Sequence, residues 1–243
     1  MASPEPLPAT RPLNGAAASR SFDRRLYLAM GGLAAVVVFV GFSQSFYLRE
    51  WFETPPLSAL RYAHGALMTL WYALFLTQVV LVSRRRVDVH RRLGILTALT
   101  AAALVPVATA TAIAFVSRLR TDPEDGPVAA IIAGYDFVSL LMFVLLVGTA
   151  LALRRRSDVH KRLMTLASMS LLGPPLARLV SDQQALWLTY ALILLPIAID
   201  TWRHRRLHPA FGWGGAALLI SSRVALHYVT TPQWIHFALK TFA

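Results

Sequence analysis

Cysteine is absent from all 243 residues. Its absence removes disulfides, thiolate-ligated haem, cysteine-based zinc and iron–sulfur centres, and covalent haem attachment through C-x-x-C-H. Histidine, carboxylate and thioether remain as metal ligands. Acidic residues are scarce: 12 Asp and Glu stand against 24 Lys and Arg, for a formal charge of +12. Within the long apolar runs the clear carboxylates are Asp136 and Asp200, too few for a multi-carboxylate ion pump. There is no G-x-x-x-x-G-K-[ST], G-x-G-x-x-G, H-E-x-x-H or G-x-S-x-G. ATP-driven transport, soluble dinucleotide chemistry, zincin proteolysis and nucleophile-elbow hydrolysis therefore have no sequence support. The basic excess does not point to nucleic acid, because the cations sit in short clusters between apolar runs. Such clusters orient membrane proteins and meet anionic lipid headgroups. The expected partner is the lipid bilayer.

Hydrophobic residues make up 56% of the chain, above the 45–50% usual for soluble domains. The stretch Arg84-Arg85-Arg86-Val87-Asp88-Val89-His90-Arg91-Arg92-Leu93 recurs 70 positions later as Arg154-Arg155-Arg156-Ser157-Asp158-Val159-His160-Lys161-Arg162-Leu163, with eight of ten residues identical. Each copy lies between apolar runs long enough to cross a bilayer. A basic loop between two spans is cytoplasmic by the positive-inside rule. The spacing holds two spans, so the copies enter with the same orientation and form parallel repeats.

The fold class expected is therefore all-α: a polytopic membrane protein with seven transmembrane helices, N-terminus in and C-terminus out. Its spans are 26–48, 57–83, 93–116, 127–153, one from 163 broken at Gly173-Pro174-Pro175, 184–201 and 211–230. Pro106 should kink the third. Spans 2–3 and 4–5 form the internal repeat of helix pairs, and the basic loop 203–208 reads as a degenerate third copy that adds 6–7. The loop signs alternate throughout, which supports this sidedness. Residues 1–22, with four prolines, read as a disordered cytoplasmic tail. Residues 23–231 form the membrane domain and 232–243 a short interfacial segment.

Asp88 and Asp158 occupy N-cap positions for the spans they precede, and their carboxylates would meet the free amides there. His90 and His160 then lie at the cytoplasmic boundary, either anchoring or acting as ligands or proton relays. Equivalent positions in parallel repeats could bring the two rings together. In span two, Arg61, His64, Met68, Trp71, Phe75 and Gln78 follow spacings of 3, 4, 3, 4 and 3. They share one stripe, which should face the bundle interior because lipid cannot solvate its polar members. In span seven Arg223 and His227 share a face. Topology puts these histidines in the outer half of the membrane with Gln44, Tyr135, Asp136 and Arg178. One outward-facing polar pocket built from these groups is expected, against the alternative of a structural salt-bridge network.

The pattern Phe46-Tyr47-Leu48, His64-Gly65-Ala66-Leu67-Met68, Trp71, Gln78, His90-Arg91-Arg92-Leu93-Gly94 and His160-Lys161-Arg162-Leu163-Met164 resembles small polytopic bacterial inner-membrane proteins of unknown function. More distantly, it resembles haem–copper oxidase assembly-type membrane proteins. The resemblance covers spans two to five and implies a haem or respiratory connection in a bacterial inner membrane, with other respiratory membrane proteins or a homo-oligomer as partners. It transfers no catalytic residue.

Three expectations follow. In the first, haem b is held by His64 and His227, with Arg61 and Arg223 pairing its propionates and His90 and His160 available as an inner pair. In the second, a transporter or assembly scaffold binds a small anion or lipid headgroup in the same pocket. In the third, a quinone exchanges protons with His64 and Asp136 beside Trp71 and Phe75.

Overall fold

The computed structural model describes residues 13–242, with side chains from Ser21 onward. Among these residues every regular element is helical: α1 (Leu13–Gly41), α2 (Ala59–Ser83), α3 (Val87–Leu119), α4 (Asp125–Ala152), α5 (Ser157–Ser170), α6 (Gly173–Leu176), α7 (Asp182–His204), α8 (Pro209–Val229) and α9 (Pro232–Thr241). The first twelve residues of the expected tail lie outside the described ones, and helix begins at Leu13. Five helices are long and apolar enough to cross a membrane: Ser21–Gly41 within α1, then α2, α3, α4 and α7. This marks the chain as a membrane protein.

The fifth and seventh expected spans, α5–α6 and α8, are not among those five. Fourteen residues make α5 only about 21 Å long at 1.5 Å per residue, short of the roughly 30 Å of a hydrocarbon core. It ends before Gly173-Pro174-Pro175, as the prolines require. Ser221, Ser222, Arg223 and His227 lower the apolar character of α8.

Local chemistry explains where the other helices begin. Ser58 accepts from the Arg61 amide at the start of α2. Ser181 and Gln184 form a reciprocal capping box on α7. The His208 ring accepts from the Ala210 amide (3.2 Å) to start α8, and Thr231 caps α9. Pro209 and Pro232 stand at the first helical position, where no amide hydrogen is needed. Asp122 accepts from the Glu124 and Asp125 amides (2.9 and 2.8 Å) ahead of α4, and those bonds hold its carboxyl below the usual range.

The expected caps at Asp88 and Asp158 need correction. Arg86 and Arg156 hold the N-cap positions of α3 and α5 without a side-chain bond. The aspartates stand one residue into their helices, in the first turn, where a negative charge still favours the dipole. Through Pro106, α3 runs on without a break in helix.

The helices pack around α5, which touches α1, α4, α7 and α8. Arg162, Leu163 and Thr165 to Met169 are all buried. The reverse holds at the rim, where Val36, Ile95, Leu99, Leu141, Leu145, Ile220 and Val224 are exposed, forming an apolar belt suited to lipid. Two irregular turns meet at the end of the bundle that carries the acidic loops. There α1 closes in a π turn over Ser43–Tyr47, and Gly41 lies so close to Pro175 that no side chain would fit. Beyond α8, α9 folds back onto α4. The Trp234 indole donates to the Ala130 carbonyl (2.9 Å), over Gly134, where a Cβ would meet Val229 at 2.6 Å and Trp234 at 2.7 Å.

The tie that sets the centre of the bundle joins α5 to α7. Arg162 donates to Asp200 from Nη2 to Oδ1 (2.7 Å) and Oδ2 (2.9 Å) and from Nε to Oδ2 (3.2 Å). Its Nη1 donates to the Asp158 carbonyl (2.8 Å). The side chains are only 5% and 0% exposed, so neither charge has water as a fallback. Removing one partner of such a pair costs about 3–5 kcal/mol, whereas replacing both by apolar residues is near neutral. Asp200→Asn and Arg162→Met alone should each lower the melting temperature in detergent markedly. The double variant Arg162→Met/Asp200→Leu should recover most of the loss, as followed by thermal unfolding.

Candidate functional site

The second copy of the basic motif occupies the middle of the end that carries the basic loops, and each residue in its first turns reaches a different helix. Asp158 accepts from His208 Nε2 beside α8 (3.0 Å). The His160 Nδ1–H donates to the Ala150 carbonyl of α4 (2.8 Å). Lys161 pairs with Asp23 of α1, and Arg162 with Asp200 of α7. His204 bridges Asp23 and Asp200, 3.5 Å from an oxygen of each. Both copies are exposed from the first arginine to the aspartate; they part after the histidine, where Arg91 and Arg92 are exposed but Lys161 is half-buried and Arg162 buried, and Asp88 makes a loose contact with Arg86 (3.8 Å).

The two copies meet at their histidines. The rings of His90 and His160 stand perpendicular (85°) with centroids 6.4 Å apart, both half-buried. Each Nδ1 has a partner. That of His160 gives its hydrogen to Ala150, which leaves the lone pair on Nε2. That of His90 meets the buried Gln78 amide. With its NH2 toward the ring, Gln78 donates to Nδ1 (2.6 Å) and to the His90 carbonyl (3.2 Å), while its oxygen accepts from Thr97 (3.1 Å). The same oxygen accepts from the Gly94 amide (3.0 Å), which fixes the amide this way round. His90 Nδ1 is therefore an acceptor and its neutral ring carries hydrogen on Nε2, whereas His160 carries it on Nδ1.

The outer half assembles differently from the expected pocket. Of the α2 stripe, Trp71, Phe75 and Gln78 are buried, Met68 and His64 half-buried, and Arg61 exposed at the end. The stripe therefore faces inward except at its first member. Trp71 packs edge-on against Phe143 at 4.8 Å, as core rather than as the wall of an opening. His64 Nδ1 is buried without a hydrogen-bond partner, and so are Trp71 Nε1 and Ser168 Oγ.

Arg178 lies within electrostatic range of both His64 and Asp136. It covers the Phe42 ring at 4.3 Å and donates to the Pro174 carbonyl (3.0 Å). The expected pocket needs correction at its other members. Arg223 and His227 are exposed on α8, as is Gln44 in the π turn. Moreover, α8 packs on α4, α5, α7 and α9, while α2 packs on α1 and α3. The short outer turn of α8 leaves this pair on the perimeter, so His64 and His227 do not face each other across a shared cavity. Tyr135 instead shares the Ser222 hydroxyl with Tyr190, at 2.7 Å from each. These three border a mostly apolar cavity of about 20 Å³, room for one water against their hydroxyls.

Asp23, Lys161, Arg162, His204, His208 and the Tyr135–Ser222–Tyr190 relay escaped the sequence reading. The signal was present for Arg162 alone: Asp200 is an intramembrane carboxylate that requires a cation, and Arg162 is the cation nearest the start of the apolar part of α5. No family model, curated protein or solved structure matches the chain.

The hydrogen bond from His208 holds the Asp158 carboxyl below the usual carboxylate range. A carboxyl lowered on folding contributes stability above its unfolded value, and loses that contribution as pH falls through its folded value. His208→Ala should therefore move Asp158 back up toward the ordinary range, which carbon-13 titration of the aspartate carboxyls in detergent would read.

Proposed function

We propose that the chain is a seven-span protein of a bacterial inner membrane, with a redox or haem-handling role centred on the His90–His160 pair. In this reading the basic end is cytoplasmic, the N-terminus is inside and the C-terminus outside, and α5–α6 and α8 complete the seven. Aromatic rings at both ends support that placement: Trp51, Trp187 and Tyr228 are exposed at one end, and Trp202 and Trp213 at the other, as in interfacial belts. The shared motif and the touching histidines support a parallel repeat of α2–α3 and α4–α5.

The observation that carries the functional reading is the histidine geometry. His90 and His160, with ring centroids 6.4 Å apart, are the residues that would hold the iron of a haem, each through one ring nitrogen. Ligating histidines give the other ring hydrogen to a carbonyl or similar acceptor. His160 does this through Ala150; His90 does it only when the Gln78 amide turns over and gives up its Gly94 bond. Haem b, when bound, would supply one-electron transfer. The chain's own part is to set the His160 tautomer, to half-bury both rings, and to offer the exposed Arg91, Arg92, Arg84 and Arg85 to propionates.

A second reading, a transporter or assembly scaffold for a small anion or lipid headgroup, is favoured by one feature. Arg178 stands at the break between α6 and α7 in the outer half, and interrupted helices of that kind commonly frame substrate sites.

Protein purified in detergent from haem-replete cells should give the reduced-minus-oxidised visible spectrum of a bis-histidine haem. His90→Ala and His160→Ala should each abolish it, while His227→Ala leaves it unchanged; a colourless wild type overturns the reading. Because the chain has no cysteine, Trp51→Cys and Arg155→Cys each carry a single thiol. In intact spheroplasts an impermeant maleimide should label the first and spare the second.

A further inference from the structure

Beside the histidine pair, and independent of it, a second group of ligand atoms converges between α1 and α7. Asp23, Asp200 and His204 each bring one such atom, all within 4.8 Å of one another. The His204 Nδ1–H donates to the Asp200 carbonyl (2.9 Å), which puts the ring's lone pair on Nε2. That nitrogen faces Asp23 Oδ1 at 3.5 Å. In the neutral ring that lone pair would repel the carboxylate oxygen, and either a second ring hydrogen, as in an ion pair, or a bound cation removes the repulsion. Asp23 Oδ1 is buried with no hydrogen-bond partner. Tyr27, one turn further along α1, is 6% exposed. Its hydroxyl faces the Asp200 carboxylate at the edge of hydrogen-bonding range, with Asp23 and Arg162 near. Behind these atoms stand the supports that metal ligands usually have. Arg162 holds the Asp200 carboxylate, and a backbone carbonyl orients the imidazole.

We propose that Asp23, Asp200 and His204 bind a divalent transition-metal ion at the basic end of the bundle. One imidazole nitrogen with two carboxylate oxygens suits Zn²⁺ or Mn²⁺, and the Tyr27 hydroxyl is placed to orient a metal-bound water. The ion would pin α1 to α7 around α5. Lys161 and Arg162 offset the charge of both carboxylates, so the affinity is modest, and Lys161 competes directly for Asp23. That competition separates a metal site from a purely structural ionic cluster. In the cluster reading, Lys161 is a necessary partner; in the metal reading, it is a competitor.

The test is a Zn²⁺ titration of the full chain in detergent, read by competition with a chromophoric chelator. The wild type should take up one ion that persists in the His90→Ala/His160→Ala background, which keeps the result apart from the fate of the histidine pair. Asp23→Asn and His204→Ala should each weaken binding by about tenfold or more. Lys161→Gln, which keeps every ligand and needs no new packing, should tighten it. Absence of Zn²⁺ uptake, uptake indifferent to Asp23→Asn and His204→Ala, or a Lys161→Gln protein that binds no more tightly would each overturn the proposal. Should Asp23→Asn fail to fold, the Lys161→Gln comparison decides alone.

Discussion

A guanidinium inside a membrane bundle has to be neutralised and hydrogen-bonded at once, and most of this architecture follows from how Arg162 meets that demand. Asp200 takes three of its hydrogen bonds and the Asp158 carbonyl a fourth, while the Phe211 ring lies 5.5 Å beneath it. The pair draws α5 to the centre and fixes α7 against it. Once α5 is central, its neighbours in sequence must find partners on other helices: Asp158 on His208, His160 on Ala150 and Lys161 on Asp23. Four consecutive functions of one short segment thus set the relative positions of α1, α4, α7 and α8. The apolar core of Leu166, Ala167 and Met169, all 0% exposed, adds contact area but little directional information.

Much of the helical plan was legible because it rests on residue type. Alternating basic loops, apolar runs and proline breaks are one-dimensional signals, and the helices of the chain follow them closely. The inward stripe of α2 was legible for the same reason, since Trp71, Phe75 and Gln78 fall on one face at helical spacing. What could not be read was which helix stands beside which. The outer pocket assumed that α2 and α8 share an interior, but pairing between distant helices depends on shape rather than on period. Small residues decide it at α4, where Ala129, Ala130, Ala133 and Gly134 admit α8 and α9 closely. Arg223 and His227 are then left on the perimeter.

The two copies of the basic motif illustrate the same limit. They agree at eight of ten positions, yet after the histidine Arg91 and Arg92 lie on the surface while Lys161 is half-buried and Arg162 buried. Identity of sequence does not carry identity of environment, because the partners that bury the second copy come from outside the repeat. Asp23 belongs to α1, while Asp200 and His204 belong to α7. From the first arginine to the histidine the two copies keep equivalent exposure, and the histidines come together at 6.4 Å between ring centroids.

The central tie also constrains how the chain can be made. Arg162 emerges from the ribosome 38 residues ahead of Asp200, and α5 is too short and too polar to partition into lipid unaided. Until α7 is present, Arg162 lacks the carboxylate that neutralises it in the folded bundle, so the central tie closes only when the two helices meet.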